Sequence, residues 1–146
     1  MKKFSGRALF VVAAAGIAAG TVVGTGSANA QWGLYGAIAF SASDWSYGSI
    51  VDAYSREDAD AQALELCSLG GITDCKLLVD WVDGCGALVF TKGAVGTGAG
   101  LNSSLALFAA NTSLAQYRPQ AMLANTGSAE QSGTKVVEVA CTTNAA

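Results

Sequence analysis

The chain has 146 residues with 8 basic and 11 acidic side chains, no histidine, 4 cysteines, 18 glycines, one proline and 51% hydrophobic residues, which describes one compact domain rather than two. Without histidine, serine–histidine and cysteine–histidine hydrolases are excluded, and any acid–base chemistry falls to carboxylates, hydroxyls, thiols or lysine. A formal net charge of −3 argues against nucleic acid, whose binding rests on basic side chains that release counterions.

The first thirty residues read as a Sec-type signal peptide. Lys2, Lys3 and Arg7 give a basic start, Ala8 to Ala19 is an unbroken small and apolar run, and Ala28-Asn29-Ala30 offers a small-x-small cleavage site before Gln31. The dense run is about twelve residues against the roughly twenty needed to span a bilayer, so no stable membrane span is expected after cleavage. Loss of residues 1–30 leaves 5 basic and 11 acidic side chains over 116 residues, a net charge of −6. The expected product, 31–146, is a single secreted α+β domain of the extracellular space or cell envelope. All four cysteines, Cys67, Cys75, Cys85 and Cys141, lie in it. An even number in an oxidising compartment predicts two disulfides, and four cysteines permit three pairings.

In chain order, GAIAFS at 36–41 reads as a half-buried strand and WSYGSIV at 45–51 as its hairpin partner. SREDADAQALELC at 55–67 reads as a helix. Ser55 is its N-cap, Glu57, Asp58 and Asp60 complement the positive end of its dipole, and Ala59, Ala63 and Leu66 form the buried stripe. Gly70-Gly71 ends it and CKLLVDWV at 75–82 returns as a strand. Asp83-Gly84 is a tight turn whose two positions tolerate positive φ. The order then recurs, with GALVFT at 86–91, AVGTGAG at 94–100, a helix SSLALFAANTSLAQY at 103–117 and a returning strand TKVVEVAC at 134–141.

Two tandem ββαβ units, about 34–82 and 85–142, are the simplest account. They predict a small, mostly antiparallel sheet with two helices packed on it, stapled by disulfides. In the first unit Cys67 ends the helix and Cys75 starts the returning strand, while the corresponding places near Ala115 and Thr134 hold no cysteine. Joint absence of both partners predicts pairing of Cys67 with Cys75, which leaves Cys85 with Cys141. The segment 118–133, with Pro119, Gly127 and Gly133, is a long loop, and loops of that length are functional or mobile.

GAIAFS, WSYG, AYSREDADAQALELC and DCKLLVDWVDGCGALVF together resemble the secreted bacterial domain-of-unknown-function 4189 family, over roughly residues 34–141 and most closely in the first unit. The resemblance implies an exported α+β domain and no catalytic residue. The chain departs from the pattern in its second unit, where the helix lacks acidic residues and a terminal cysteine.

Candidate sites are few. Gly93, Gly96, Gly98 and Gly100 fail the dinucleotide pattern because Leu101 stands where glycine is needed, and no Lys-Ser/Thr follows for a phosphate loop. Asp80 and Asp83 flank Trp81 and Val82, and Asp44 and Asp52 border the hairpin strand. Such pairs are what a glycoside-cleaving enzyme needs, but aspartate is equally at home in turns and strand ends. No calcium-loop spacing supports a metal site, and neither a cofactor nor a metal is expected. Trp45, Tyr47 and Trp81, with Tyr54 nearby, are the candidate binding surface, because exposed Trp and Tyr supply flat contact area to a protein or sugar. Asn102-Ser103-Ser104 and Asn111-Thr112-Ser113 match the glycosylation sequon and read instead as helix capping and polar surface.

Three functions follow from these features. The leading one is a non-enzymatic binding or interaction module whose partner is a protein or an envelope glycan. The second is a carboxylate-dependent hydrolase of cell-wall polymers using Asp44, Asp52, Asp80 or Asp83. The third is an inhibitor or immunity protein for a secreted enzyme, with the 118–133 segment as its probe.

Overall fold

A computed structural model describes residues 33–146, so the signal-peptide reading of 1–30 and the cleavage site after Ala30 lie outside the described residues. The elements are β1 (Tyr35–Phe40), β2 (Tyr47–Ala53), α1 (Arg56–Cys67), β3 (Lys76–Val82), β4 (Cys85–Thr91), β5 (Ala94–Gly100), α2 (Ser103–Ala115), a 3₁₀ helix (Pro119–Thr126), the single turn α3 (Ala129–Ser132) and β6 (Lys135–Cys141). The strands form two three-stranded antiparallel sheets, ordered β2-β1-β3 and β5-β4-β6. The α+β class is as expected, with the strands divided between two sheets. Each sheet closes within its own half of the chain because β1 and β4 take both neighbours from the strands that follow them. The Asp83-Gly84 turn therefore carries the chain from one sheet to the other. Asp83 takes positive φ (51°), whereas Gly84 is required by close approach, since a Cβ there would sit 2.5 Å from the Gly100 carbonyl oxygen.

Alternation along the central strands sorts side chains between two faces. Ile38, Phe40 and Leu88 point inward with Trp81, and Val51, Val79, Val95, Val137 and Ala140 pack around them, so the sheets meet face to face. Ala37 and Ala39 point outward against Ala59, Ala63 and Cys67 of α1. Ala87 and Val89 point outward against Ala106, Ala110 and Leu114 of α2. The result is four layers: helix, sheet, sheet, helix. Leu66, expected in the buried stripe, is 40% exposed. The helix lies so close to β2 that the inward row is the strict four-residue series 59, 63, 67, which turns residue 66 aside.

The two helices sit on their sheets in the same way. Ser55 caps α1 by accepting from the Asp58 N–H (3.1 Å), and Asn102 caps α2 by accepting from the Leu105 N–H (3.0 Å). Counted from either cap, buried positions fall four, eight and twelve residues on, and α2 buries Asn111 in addition. Gly48 pairs with Ala39 and Gly96 with Val89. A Cβ on either glycine would run into helix backbone, at Ala63 and Cys67 in one case and at Ala110 and Leu114 in the other. Both central strands also carry a register shift at the same step, Ile38/Ala39 against β3 and Leu88/Val89 against β6.

Trp81 breaks this correspondence. It faces Gly36 across β1, while the equivalent partner of Gly86 is Ala140. The indole fills the space over both glycines, since a Cβ on Gly36 or on Gly86 would land inside its rings. One large side chain thus serves both sheets, and truncating a buried aromatic of this size costs about 3–5 kcal/mol.

The disulfides are Cys67–Cys75 and Cys85–Cys141. The first ties the end of α1 to the start of β3. In the second, Cys85 and Cys141 stand directly opposite one another on β4 and β6.

The segment 118–133 is not an open loop. Pro119 starts the 3₁₀ helix, and Gly127 and Gly133 end the two short helices in left-handed conformations. Ala121 is fully buried in the α2 core. Asn125 accepts from Asn111 Nδ2 (3.0 Å) and donates to the Phe108 carbonyl (3.2 Å) and Thr112 Oγ1 (3.3 Å). One asparagine thereby ties the 3₁₀ helix to the side chains of Asn111 and Thr112 and to one carbonyl of α2. Asn111 is itself buried rather than a cap.

Candidate functional site

The site is built at the end of the sandwich where β1 and β4 finish. Phe40 and Phe90 occupy the same place in the two central strands, and the Trp45 ring packs against both. Together with Trp45, Tyr47, Leu88, Val95 and Val137 they line an apolar cleft of about 320 Å³. Trp45 belongs to the turn between β1 and β2, ahead of the strand that was expected to carry it. Its ring stands edge-on to Phe40 (centroids 5.5 Å, interplanar angle 86°) and to Phe90 (6.1 Å, 63°). It is 48% exposed and has φ of 56°, a left-handed conformation that bulky residues adopt at a cost of order 1–3 kcal/mol. The turn between β4 and β5 has only Lys92 and Gly93 and no aromatic residue.

The surrounding contacts hold that turn in place. Ser41 N–H donates to the Ser46 carbonyl (2.8 Å). The Asp74 carboxylate accepts from Ser41 Oγ (2.5 Å), Ser43 Oγ (2.9 Å) and the Ser43 N–H (3.0 Å). Asp74 adjoins Cys75, so the first disulfide anchors the residue that anchors the turn. The Ser41 hydroxyl, followed by the Ser43 N–H and hydroxyl, holds the Asp74 carboxyl at about 2, down from 3.8.

Tyr47, 37% exposed, lines the cleft with its ring and donates its hydroxyl to Glu138 Oε2 (3.3 Å), which also accepts from Ser49 Oγ (3.4 Å). These bonds join β2 of one sheet to β6 of the other. Burial first, then the charge of Glu138 and its hydrogen bond, push the Tyr47 hydroxyl upward, so it stays a donor at neutral pH.

The other sequence candidates have different places. Trp81 is 5% exposed and belongs to the core, where it fills the space above two glycines; it is not available to a partner surface. Tyr54 is exposed and is not among the cleft residues. Asp80 pairs with Arg56. Asp83 accepts from the Leu34 N–H (2.8 Å) and Asn144 Nδ2 (2.7 Å), which hold its carboxyl below the usual range in that order. Asp52, at φ 65°, accepts from the Thr143 N–H (2.8 Å) and hydroxyl (3.2 Å). Two of the four aspartates thus clasp the C-terminal residues and a third pairs with arginine, while Asp44 lies in the turn that carries Trp45. None of them lines the cleft. Among the described residues, no group of three or more acidic or sulfur side chains is arranged to hold a metal ion, and no helix is long and apolar enough to cross a membrane.

Sequence reasoning missed Phe40 and Phe90 as site residues. Their signal was present, because both recurrent strands end in Phe followed by a hydroxyl residue. Asp74 gave no such signal, since its partners lie more than thirty residues away.

No curated protein matches the chain. Among solved structures it is similar to one entitled "NMR structure of Rv1813c from Mycobacterium tuberculosis", at 20% identity and a TM-score of 0.44, over 90% of this chain and 99% of that one. A family model described as "Domain of unknown function (DUF4189)" matches residues 35–141. That span includes both sheets, both disulfides and the aromatic cleft, and the chain belongs to the DUF4189 family.

Proposed function

We propose that residues 31–146 form an exported, non-enzymatic binding module of the extracellular space or cell envelope, and that the aromatic cleft receives an apolar group of its partner. The observation that carries this reading is Trp45, a half-exposed aromatic ring held in a left-handed turn against Phe40 and Phe90. Strain of this kind persists where surrounding contacts impose it, and it gathers at binding sites. Here Asp74 and the Cys67–Cys75 bridge impose it. Aromatic side chains in small apolar clefts are also the residues that dominate binding energy at interfaces. The lining is apolar, which favours a protein side chain over a sugar, whose hydroxyls need polar partners.

Export is supported by the signal-like first thirty residues and by two disulfides, which persist in oxidising compartments. The same reading takes 34–82 and 85–142 as two copies of one unit, supported by the coincident caps, glycines and register shifts.

The test is affinity capture from culture medium and envelope with oxidised protein starting at Gln31, comparing wild type with Trp45→Ala. The expected result is a partner held by the wild type and lost from the variant, with thermal unfolding little changed. Equal capture by both proteins, or turnover of a glycan, ester or peptide that a carboxylate variant abolishes, would overturn the reading.

A further inference from the structure

A second groove, of about 610 Å³, adjoins the cleft and shares Val95 with it. Its walls are the first half of β5, Leu78 from the opposite sheet, and Ser113, Tyr117 and Arg118 at the end of α2. Strand β5 is an edge, pairing with β4 and, among the described residues, with nothing on its other side. Among the described residues, no backbone bond outside the β-ladders reaches that free edge.

Edge strands are normally guarded by charge or proline, because their unpaired N–H and C=O groups template further pairing. Three of the four edges here follow that rule. Asp52 lies on β2, Lys76 and Asp80 on β3, and Lys135 and Glu138 on β6. The sequence of β5, AVGTGAG, has neither charge nor proline.

One cation, Arg118, lines the groove where β5 begins. Arg118 Nη2 donates to the Lys92 carbonyl (3.3 Å), which fixes the guanidinium beside Gly93. Neither Arg118 nor Lys92 is in an ion pair among the described residues, whereas Arg56 is. In a domain that carries 11 acidic side chains, an unpaired guanidinium lining a groove is complementary to an anion. Arginine presents a planar fork suited to carboxylate.

We propose that the free edge of β5 accepts an extended peptide as an added antiparallel strand, and that Arg118 receives its C-terminal carboxylate. An antiparallel strand ends where β5 starts, which sets its terminus at Arg118. Main-chain bonds to β5 supply affinity, and alternate side chains reach Leu78 and Val95 or the hydroxyls of Ser113 and Tyr117. The inference rests on the binding-module reading and names its partner class, but it does not depend on the aromatic cleft.

The probe is an N-terminally fluorescein-labelled pool of random hexapeptides with free C-terminal carboxylates, compared with the same pool amidated. Binding is read by fluorescence polarisation and by amide chemical shifts of the ¹⁵N-labelled protein. The free-acid pool is expected to bind about tenfold more tightly than the amide, the loss expected for one charge-assisted pair. Shifts should centre on residues 93–97, and Arg118→Gln should bring the two pools together while leaving the fold intact. The proposal fails if neither pool binds, if both bind wild type equally, or if the shifts fall elsewhere. Partner loss from Trp45→Ala with no acid preference would leave the cleft standing and remove this inference. An acid preference that survives in Trp45→Ala, with partner capture independent of Trp45, would do the reverse.

Discussion

The two halves of the domain pack alike inside and differ outside. Helix α1 presents Arg56, Glu57, Asp58 and Glu65 to solvent, while α2 presents Leu105 and Phe108, each about half exposed, between serines and Thr112. Beneath these surfaces the helices bury the same three positions from the cap, and each lies over a glycine that lets helix backbone touch strand backbone. Close packing tolerates little change in volume, whereas exposed positions tolerate a great deal. The inner plan is therefore held in common, and each half has its own additions. The first has a bridge from helix end to returning strand, a pinned turn and Trp45. The second has a short turn, an uncharged edge strand and the packed 118–133 segment.

The disulfides test that asymmetry with the largest expected effect. Cys85–Cys141 closes 56 residues and spans most of the second half, while Cys67–Cys75 closes 8. On loop entropy the long bridge contributes about 4 kcal/mol and the short one about 2.5 kcal/mol, against a net stability of about 5–15 kcal/mol for a domain of this size. Urea unfolding of Cys85→Ser/Cys141→Ser and of Cys67→Ser/Cys75→Ser should show that order. The short-bridge variant should in addition lose the cleft, because Asp74 and the Trp45 turn hang from Cys75. If the short-bridge variant kept full partner capture, the chain of support from Cys75 to Trp45 would be wrong.

Gly48→Ala and Gly96→Ala test what the halves share. Each added methyl meets helix backbone rather than a flexible side chain, so the helix must shift, at about 1–3 kcal/mol for overpacking of this kind. The two losses should match within about 0.5 kcal/mol, the error to which independent effects normally add. A large loss at one glycine and none at the other would mean that the second helix is not seated as the first is.

Most of the fold was legible because it rests on local signals. Strand alternation, the Ser55 and Asn102 caps and the Asp83-Gly84 turn set the elements to within one or two residues, and the recurrence of element order led to the disulfide pairing. The division into two sheets was not legible, since alternation shows which residues share a face and not which face meets which. Leu66 and Trp81 were misread for related reasons. The backbone spacing between helix and strand, set by Gly48, decides the first, and two glycines fifty residues apart, Gly36 and Gly86, make room for the second. The site was half legible. Trp45 and Tyr47 stood out as aromatic residues, but the acceptor that fixes their turn, Asp74, is joined to Ser41 only through the tertiary fold. The 118–133 segment was missed because its order comes from Asn125 and buried Ala121 rather than from any periodicity.

The smallest expected effect concerns that acceptor and belongs to the first half alone. Hydrogen bonds from Ser41 and Ser43 hold the Asp74 carboxyl at about 2 in the folded domain, below its ordinary 3.8. The unfolded chain therefore takes up this proton more readily than the folded one. The stabilising effect is fully present above pH 4 and fades as pH falls through the interval from about 4 to about 2. Asp83 is also held low, by the Leu34 N–H and then Asn144, so it adds to the same acid limb at a separate place. Asp74→Asn should flatten the limb, leaving the part that belongs to Asp83, and should lower stability slightly at neutral pH, where the amide oxygen accepts less strongly than a carboxylate. Thermal unfolding of both proteins between pH 2 and pH 6 measures the difference. The decisive signal is the Trp45 indole N–H resonance, which should move with a midpoint near pH 2 in the wild type and stay still in Asp74→Asn. An indole that titrates identically in both would separate Trp45 from Asp74, and the strain in its turn would need another source.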